Sequence, residues 1–239
     1  MRGTILWSGF PGTIEQLRGL ACGAYFALES GTDPVDHLPM MESDRQVRKI
    51  IRRAWAISDA TSAADTVELL ALGMVTNDYD AILQRLAAAA PGGVRTALPM
   101  DHGALNAVSS TLADSDPARI LTVARVAAHT RGRPPGFPAS TSAWELAQAV
   151  ELVRMCHRAG FVDDRWAWTA VIDLGRQAQE RYADWTEFAA GFEWGRALAS
   201  AEGAPDPVVA ADGSCARTRP VITRLLTDPA SPWLRVPLN

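Results

Sequence analysis

The sequence contains few residues of the kinds that build disulfide frameworks and metal sites. Its 239 residues include three cysteines and four histidines. The cysteines are Cys22, Cys156 and Cys215, and such a widely spaced, odd-numbered set matches neither a disulfide framework nor a zinc pattern. The histidines show no H-E-x-x-H or related metal-ligand spacing. We therefore expect a protein of the reducing cytoplasm that needs no metal ion and no other cofactor.

Long hydrophobic runs are missing as well. No segment approaches the roughly 18 consecutive apolar residues that a membrane-spanning helix needs. The first residues, MRGTILWSGFPG, lack the apolar region of a signal peptide. Apolar and polar residues do not alternate with a period of two over any useful length, as they would in β-strands. These absences argue against a membrane protein and against a sheet.

Lysine is almost absent, since Lys49 is the only one and arginine carries the remaining basic charge. The net charge of −4 gives no general reason to expect nucleic-acid binding. One predicted helix, residues 43–57, nevertheless carries a basic stripe opposite its apolar stripe. An ordinary surface helix has this pattern, but the stripe could also bind phosphates, acidic lipid or an acidic partner. Its members form our candidate interaction surface: Arg45, Arg48, Lys49, Arg52 and Arg53.

Apolar residues recur at helical spacing along most of the chain, and 48% of all residues are hydrophobic. We predict an all-α multi-helix bundle of about nine or ten helices that forms a single compact domain over residues 1–239. Possible sub-domains, 1–130 and 140–239, are joined by a linker at 131–139, whose prolines cannot continue a helix. The predicted helices of the first half span 13–29, 43–57, 62–73, 77–91, 101–112 and 117–130.

A tryptophan-rich stretch, residues 141–200, predicts three consecutive helices. Rings of that size bury a large apolar area and anchor cores and interfaces. Polar residues with capping-box spacing mark the helix starts, and Gly160 falls where a helix would end. The stretch holds five of the eight tryptophans of the chain, namely Trp144, Trp166, Trp168, Trp185 and Trp194.

Residues 201–214 are rich in glycine, proline and aspartate, and they predict a loop. A short helix is expected at about 219–226. Cys215 lies between them in the sequence DGSCAR, whose spacing fits neither the cysteine phosphatases nor the P-loop template. We therefore interpret Cys215 as part of a solvent-exposed loop.

Several motifs of the second half are similar to those of one known family. Ala143-Trp144 opens a predicted helix, Gly160-Phe161 precedes an acidic pair, and Asp184-Trp185-x-Glu187-Phe188 opens another helix. Asp228-Pro-Ala-Ser-Pro-Trp233 follows near the C-terminus. With these motifs the chain resembles the bacterial family of proteins of unknown function numbered 1266, strongly from about residue 140 onward and more loosely before. The resemblance implies a fold and no assigned activity.

The strongest polar constellation lies in the same stretch, where charged side chains are interspersed with tryptophans. It comprises Glu145, Gln148, Glu151, Asp173, Arg176, Glu187, Glu193 and Arg196. One interpretation is structural, because buried charges between helices need partners. The other is a cleft in which an arginine binds an anionic ligand beside aromatic walls. The candidate ligand-binding residues are Trp144, Glu145, Gln148, Asp173, Arg176, Trp185 and Arg196.

From these features we predict a non-catalytic protein-binding or accessory module whose partner is another bacterial protein. An immunity-like role in conflict between bacteria is a hypothesis that the resemblance alone implies. The alternative is an enzyme or small-ligand binder that uses the arginine, carboxylate and tryptophan cleft between the C-terminal helices. In that case Glu145 and Asp173 would be the acid–base groups, and Arg176 or Arg196 would hold an anion. A third hypothesis, nucleic-acid binding through residues 45–53, disagrees with the acidic overall charge.

Overall fold

The described residues of the chain form helices, and no strand occurs among them. The structure is a computed structural model and describes residues 4–74, 76–89, 116–130, 134 and 136–239. The predicted all-α multi-helix fold is confirmed, and the predicted helix at 101–112 lies outside the described residues. In chain order the helices are α1 Ile14–Cys22, α2 Ala24–Ser30, α3 Asp44–Trp55, α4 Ala60–Ala71, α5 Thr76–Ala89, α6 Pro117–His129, α7 Ala143–Arg158, α8 Asp164–Arg181, α9 Trp185–Ala201, α10 Pro207–Thr227 and α11 Pro232–Arg235.

Side chains just before the helices satisfy free backbone N–H groups of the first turn. Thr13 caps α1 in a capping box, and Ser43 caps α3, at the starts predicted for these two helices. The predicted start of the helix at residue 62 is wrong, because α4 begins at Ala60 and Asp59 is its capping residue. The Asp59 carboxylate accepts the backbone N–H of Ser62 at 2.9 Å, and the Ser62 hydroxyl accepts the backbone N–H of Asp59 at 3.2 Å. This reciprocal pair starts α4 earlier than predicted.

Gly19 of α1 and Gly23 just after it allow other helices to approach closely. A Cβ atom on Gly19 would lie 2.1 Å from the backbone oxygen of Val171 in α8. A Cβ atom on Gly23 would lie 2.6 Å from Cγ1 of Val150 in α7. A larger residue would therefore displace the backbone of α8 at position 19 and the side chain of Val150 at position 23. The predicted single helix 13–29 is interrupted at Gly23, which separates α1 from α2.

The prediction of a loop at 201–214 is wrong from residue 207 onward, because α10 spans Pro207–Thr227. Asp206 caps this helix, since its Oδ1 accepts the backbone N–H of Val208 at 3.0 Å. A proline at the first helical position is favourable because its missing N–H is not needed there. The interpretation of Cys215 as part of a solvent-exposed loop is also wrong, since Cys215 lies within α10 and is 1% exposed.

The chain divides into two compact units, each assembled from separate stretches of sequence. Both units combine residues from either side of the predicted linker at 131–139. The first unit comprises residues 1–74, 145–188 and 221–239, and the second comprises residues 75–144 and 189–220.

None of the helices in the described part of the chain combines the length and the apolar character that a membrane-spanning segment needs.

The C-terminal residues complete the core of the first unit. Trp233 is 3% exposed, and its indole N–H donates to the backbone oxygen of Ala21 in α1 at 2.8 Å. Its ring stacks on Trp185, with 5.3 Å between the ring centroids. The indole N–H of Trp185 donates to the backbone oxygen of Val236 at 2.8 Å. Buried rings with paired indole N–H groups thus fix the C-terminus on α1 and on the start of α9.

The second unit has its own core around Trp194 of α9, which is fully buried. Apolar side chains of α5, α6, α9 and α10 surround this ring. The indole N–H of Trp194 donates to the backbone oxygen of Gly136 at 3.1 Å. Arg119 of α6 forms ion pairs with Asp78 of α5 and with Glu202 just after α9. The second unit thus combines an apolar centre with a charged network at its surface.

Candidate functional site

The residues predicted to form a ligand cleft are divided between the two units. In the second unit Arg196 lies over the ring of Trp144, with 5.3 Å between the guanidinium carbon and the ring centroid. Trp144 also packs edge-on against Phe192 at 5.3 Å. In the first unit Asp173 and Arg176 of α8 pair with each other at 3.0 Å, with side chains 54% and 63% exposed. Such an exposed pair within one helix contributes only a few tenths of a kcal/mol.

The other three predicted cleft residues belong to the first unit. Trp185 is part of the aromatic core around Trp233. Glu145 is 3% exposed within α7. Gln148, about one turn further along α7, is half-buried and lines a cavity. A joint ligand-binding role for the seven predicted residues stays a prediction. Gln148 lines a cavity whose other lining residues do not belong to the predicted set.

The predicted interaction surface lies on α3, where its side chains are exposed. Arg48 has a structural role, because its Nε donates to the backbone oxygen of Ala159 at 2.9 Å and its guanidinium carbon lies 5.8 Å from the ring centroid of Phe161. It therefore holds the end of α7. The other four side chains form no ion pair and no side-chain hydrogen bond with the described residues. These four, which we name the α3 basic surface, are Arg45, Lys49, Arg52 and Arg53.

The first unit contains a cavity of about 280 Å³, which we name the acidic cavity. Helices α2, α3 and α7 form its walls together with the segment between α2 and α3. Ser30 and Ile50 are exposed, so the cavity is accessible at its rim. Aromatic and aliphatic side chains provide most of the walls, and three carboxyl groups provide the charge. The lining residues are Phe26, Ser30, Asp33, Met40, Glu42, Val47, Ile50, Trp55, Gln148, Glu151 and Met155.

Helical spacing explains which side chains of α7 and α3 reach the acidic cavity. Gln148, Glu151 and Met155 are three and four residues apart in α7, so they share one face of that helix. Val47 and Ile50 share a face of α3 for the same reason. The two helices thus present polar and apolar groups to the same space.

Two buried charged residues hold the segment between α2 and α3 in place. The Asp33 carboxylate, in a residue that is 2% exposed, accepts the backbone N–H of Met41 at 2.7 Å and the hydroxyl of Ser30 at 3.1 Å. Arg154 of α7 is 3% exposed and donates to two backbone oxygens of this segment, at 3.0 and 3.4 Å. Hydrogen bonds of this kind offset the cost of burying a charge. Both charges are therefore used by the fold.

The other two carboxyl groups of the cavity differ, because each has a buried oxygen that accepts no hydrogen bond from the described residues. These atoms are Oε2 of Glu42 and Oε2 of Glu151. Nη1 of Arg154 lies 3.5 Å from Glu151 Oε2, an ion pair without hydrogen-bond geometry. Burial raises the pKa of Glu151 to about 7, with Arg154 lowering it and Asp33, Glu42 and Glu29 raising it further. Most buried polar atoms in proteins have a partner, so two such oxygens on residues that line one cavity require an explanation.

Only the α7 side of this cavity could be predicted from the sequence. Gln148 is one of the predicted ligand-binding residues, and Glu151 belongs to the polar constellation. Their helical spacing is the signal that relates them. Asp33 and Glu42 could not be predicted as members of this site, because they lie in an irregular segment. The position of this segment over α7 depends on contacts with Arg154, and no periodic pattern in the sequence reveals such contacts.

The cysteines and the possible metal ligands offer no comparable site. Among the described residues, no group of three or more histidine, cysteine, aspartate or glutamate side chains is placed to hold a metal ion. The three cysteines are buried. Burial raises the pKa of the Cys22 and Cys156 thiols to about 12, and that of Cys215 to about 11. At neutral pH these groups are uncharged thiols, which are poor nucleophiles.

Fold and cavity together define an all-α protein with a cavity of small-molecule size. The chain matches the model of the family described as "Protein of unknown function (DUF1266)" over residues 50–238, and it belongs to this family. The match covers most of the chain and confirms the resemblance that the sequence motifs indicate. No curated protein and no solved structure matches the chain.

Proposed function

We propose that this protein binds a small molecule in the acidic cavity of the first unit. The observation that carries the proposal is the pair of buried carboxyl oxygens, one on Glu42 and one on Glu151, that accept no hydrogen bond from the described residues. A buried acceptor without a donor costs about 1–3 kcal/mol. A ligand that donates hydrogen bonds to these oxygens would recover that cost.

The volume and walls of the acidic cavity support a ligand with an apolar body. The cavity of about 280 Å³ lies near the lower end for small-molecule sites, which is roughly 300 Å³. It is larger than the ~150 Å³ cavity that holds benzene in an engineered protein. Phe26, Met40, Trp55 and Met155 would contact the apolar body. We therefore expect a ligand about the size of one ring with a short chain.

A small-ligand role is also the alternative predicted from the sequence, but the acidic cavity lies at a different place from the predicted cleft. The acidic cavity shares with the predicted cleft its mixture of carboxyl groups and tryptophan, and it contains Gln148. Its carboxyl groups and its tryptophan are Glu42, Glu151 and Trp55. A carboxyl group with a pKa of about 7 also suits acid–base catalysis. Each ligand found should therefore be incubated with the protein and tested for conversion by mass spectrometry.

A fragment library screened by ligand-observed NMR tests the proposal, with one variant that blocks the cavity. The side chain of Ile50 is 42% exposed at the rim, so Ile50→Trp can narrow the entrance without overpacking the core. We expect fragments that bind the wild-type protein to lose about tenfold or more in affinity, or about 1.4 kcal/mol. Leu69→Trp is the matched control, because Leu69 lies on α4, is 49% exposed and does not line the cavity.

The comparison of the two tryptophan variants decides the outcome. Fragments that lose affinity in Ile50→Trp and keep it in Leu69→Trp bind in the acidic cavity. Fragments that bind all three proteins equally bind elsewhere. A library in which every binder is insensitive to Ile50→Trp, or which contains no binder, contradicts the proposed function.

The second candidate function is the predicted protein-binding role, and the α3 basic surface supports it. Its four cations share one helix and form no ion pair with the described residues, although the chain carries a net charge of −4. Charge complementarity would attract an acidic surface on a partner protein and accelerate association. The accessory or immunity-like role is a hypothesis that rests on the family resemblance. We also propose that the protein acts in the cytoplasm, as predicted from its cysteines.

Replacing all four cations of the α3 basic surface by glutamine tests the protein-binding role. A partner identified by crosslinking in cells would be purified, and its direct binding to both proteins would be measured at several salt concentrations. We expect the association rate to fall about tenfold or more in the variant, since electrostatic steering is lost. Arg165→Gln, at an exposed position of α8, is the control. Unchanged association, or binding to DNA with a steep salt dependence in place of protein binding, would refute this role.

A further inference from the structure

We infer that the ligand of the acidic cavity is a small organic cation, an ammonium group attached to an apolar body. This inference rests on the proposed function and specifies its ligand class. Three observations support it: the balance of charge, the hydrogen-bonding capacity of the free oxygens, and the aromatic walls.

The balance of charge around the cavity is negative. Asp33, Glu42 and Glu151 line it, and Arg154 is the cation paired with Glu151 at 3.5 Å. Arg154 also donates to two backbone oxygens, at 3.0 and 3.4 Å, which fixes its guanidinium in the fold. An anionic ligand in this space would be repelled by the carboxylates, whereas a cation would be attracted.

The free hydrogen-bonding capacity of the cavity is on the acceptor side. An ionised carboxylate can only accept hydrogen bonds, and an ammonium group has three donors and no acceptor. Each oxygen of the Asp33 carboxylate accepts a hydrogen bond from the fold, whereas Glu42 and Glu151 each have one buried oxygen that has no donor. Charge-assisted hydrogen bonds are about twice as strong as neutral ones. A primary ammonium group therefore fits these two oxygens better than a hydroxyl group, which has a single donor.

Aromatic and sulfur-containing walls suit the rest of such a ligand. Phe26 and Trp55 line the cavity together with the carboxyl groups. The face of an aromatic ring attracts a nearby cation, and tryptophan does so most strongly. Met40 and Met155 also line the cavity, and their flexible, polarisable side chains adapt to an apolar body. The cavity thus offers contacts to both parts of an alkyl- or arylalkyl-ammonium ion.

Proton coupling gives the inference a second measurable signature. The pKa of Glu151 is about 7, under the influence of Arg154, Asp33, Glu42 and Glu29. A bound cation favours the carboxylate form, so binding below that pH releases the Glu151 proton to solvent. Affinity for an ammonium ion should therefore rise as the pH increases through about 7 and become constant above it. A neutral ligand that needs no carboxylate would show no such rise.

Isothermal titration with three probes of the same shape tests the inference on the full chain. The probes are phenethylammonium, the neutral 2-phenylethanol and the anionic phenylacetate. We expect the ammonium ion to bind about tenfold or more tightly than the alcohol at a pH above 7, and phenylacetate to bind most weakly. Glu42→Gln with Glu151→Gln should abolish the preference for the cation. Glu68→Gln, at an exposed position of α4, controls for the loss of one surface charge.

The outcomes separate this inference from the proposed function. Equal binding of ammonium and alcohol, or a preference for phenylacetate, overturns the cation assignment and leaves the cavity as a ligand site. If phenethylammonium does not bind, the test is the charge of the fragments that lose affinity in Ile50→Trp. If these fragments are neutral or anionic, the cation assignment is overturned. If the double variant fails to fold, Glu42→Gln alone and the pH dependence of the wild-type affinity provide the test. A pH-independent affinity for the cation would then contradict the role of Glu151.

Discussion

Burial of the single residue Glu151 makes the stability of the folded chain depend on pH. Its pKa rises from the ordinary value of 4.5 to about 7, mainly because the carboxyl group is buried. The folded chain therefore holds this proton more tightly than the unfolded chain does. The stabilisation that results is fully present below pH 4.5 and is lost as the pH rises through about 7.

We expect Glu151→Gln to remove this pH dependence. The two pKa values correspond to about 3 kcal/mol of unfolding free energy, and the side chain is only 14% exposed, so screening by solvent is limited. Between pH 4.5 and a pH above 7, the wild-type protein should lose about that much stability relative to the variant. Urea unfolding across this range measures the difference, with Glu68→Gln as the exposed control. A wild-type-to-variant difference that stays constant with pH would contradict the assignment.

Residues of the candidate site could be predicted from sequence only where a helix relates them. Gln148 and Glu151 lie on one face of α7, and three-residue spacing on a predicted helix is a local signal. Glu42 is preceded by a segment without periodicity, so nothing in its neighbourhood places it near α7. Its position depends on Arg158 of α7, whose Nε donates to the backbone oxygen of Glu42 at 2.9 Å. The two residues are more than a hundred positions apart, and a single sequence does not contain that relation.

At the scale of helices, capping residues are a local signal that marks where several helices begin. Asp116 before Pro117 starts α6, and Asp163 accepts the backbone N–H of Trp166 at the start of α8. These signals work because the cap and the N–H group that it satisfies lie within three residues. Gly160, with φ of +72°, follows α7 where glycine tolerates a left-handed conformation.

Helix α10 shows where local signals fail. Its sequence includes Gly213 and Pro220, which cost about 1 and 3 kcal/mol in a helix interior, and Gly213 belongs to the stretch predicted as a loop. The predicted short helix at 219–226 is only the last part of α10. Burial outweighs the local cost, because Ala211 and Cys215 lie in the core of the second unit. Tertiary packing of this kind cannot be seen in a window of neighbouring residues.

At the scale of the whole molecule, the order of the sequence differs from the order in space. The first unit combines residues 1–74, 145–188 and 221–239. Joining such distant segments costs chain entropy, which long-range contacts must offset. The contacts at the C-terminus do this with large aromatic surfaces, because Trp233 connects the last stretch to Ala21 of the first and to Trp185 of the second.

The C-terminal anchor should therefore stabilise the first unit as a whole. We expect Trp233→Ala to lower the free energy of unfolding by about 3–5 kcal/mol, as for other buried tryptophans, because it also removes the 2.8 Å hydrogen bond to Ala21. Trp166→Ala, at a half-buried position of α8, should cost markedly less. Hydrogen exchange should show faster exchange of the α1 amides in Trp233→Ala, because α1 loses a partner from the far end of the chain. If exchange accelerated only after residue 227, the tail would be a peripheral attachment and the first unit would not depend on it.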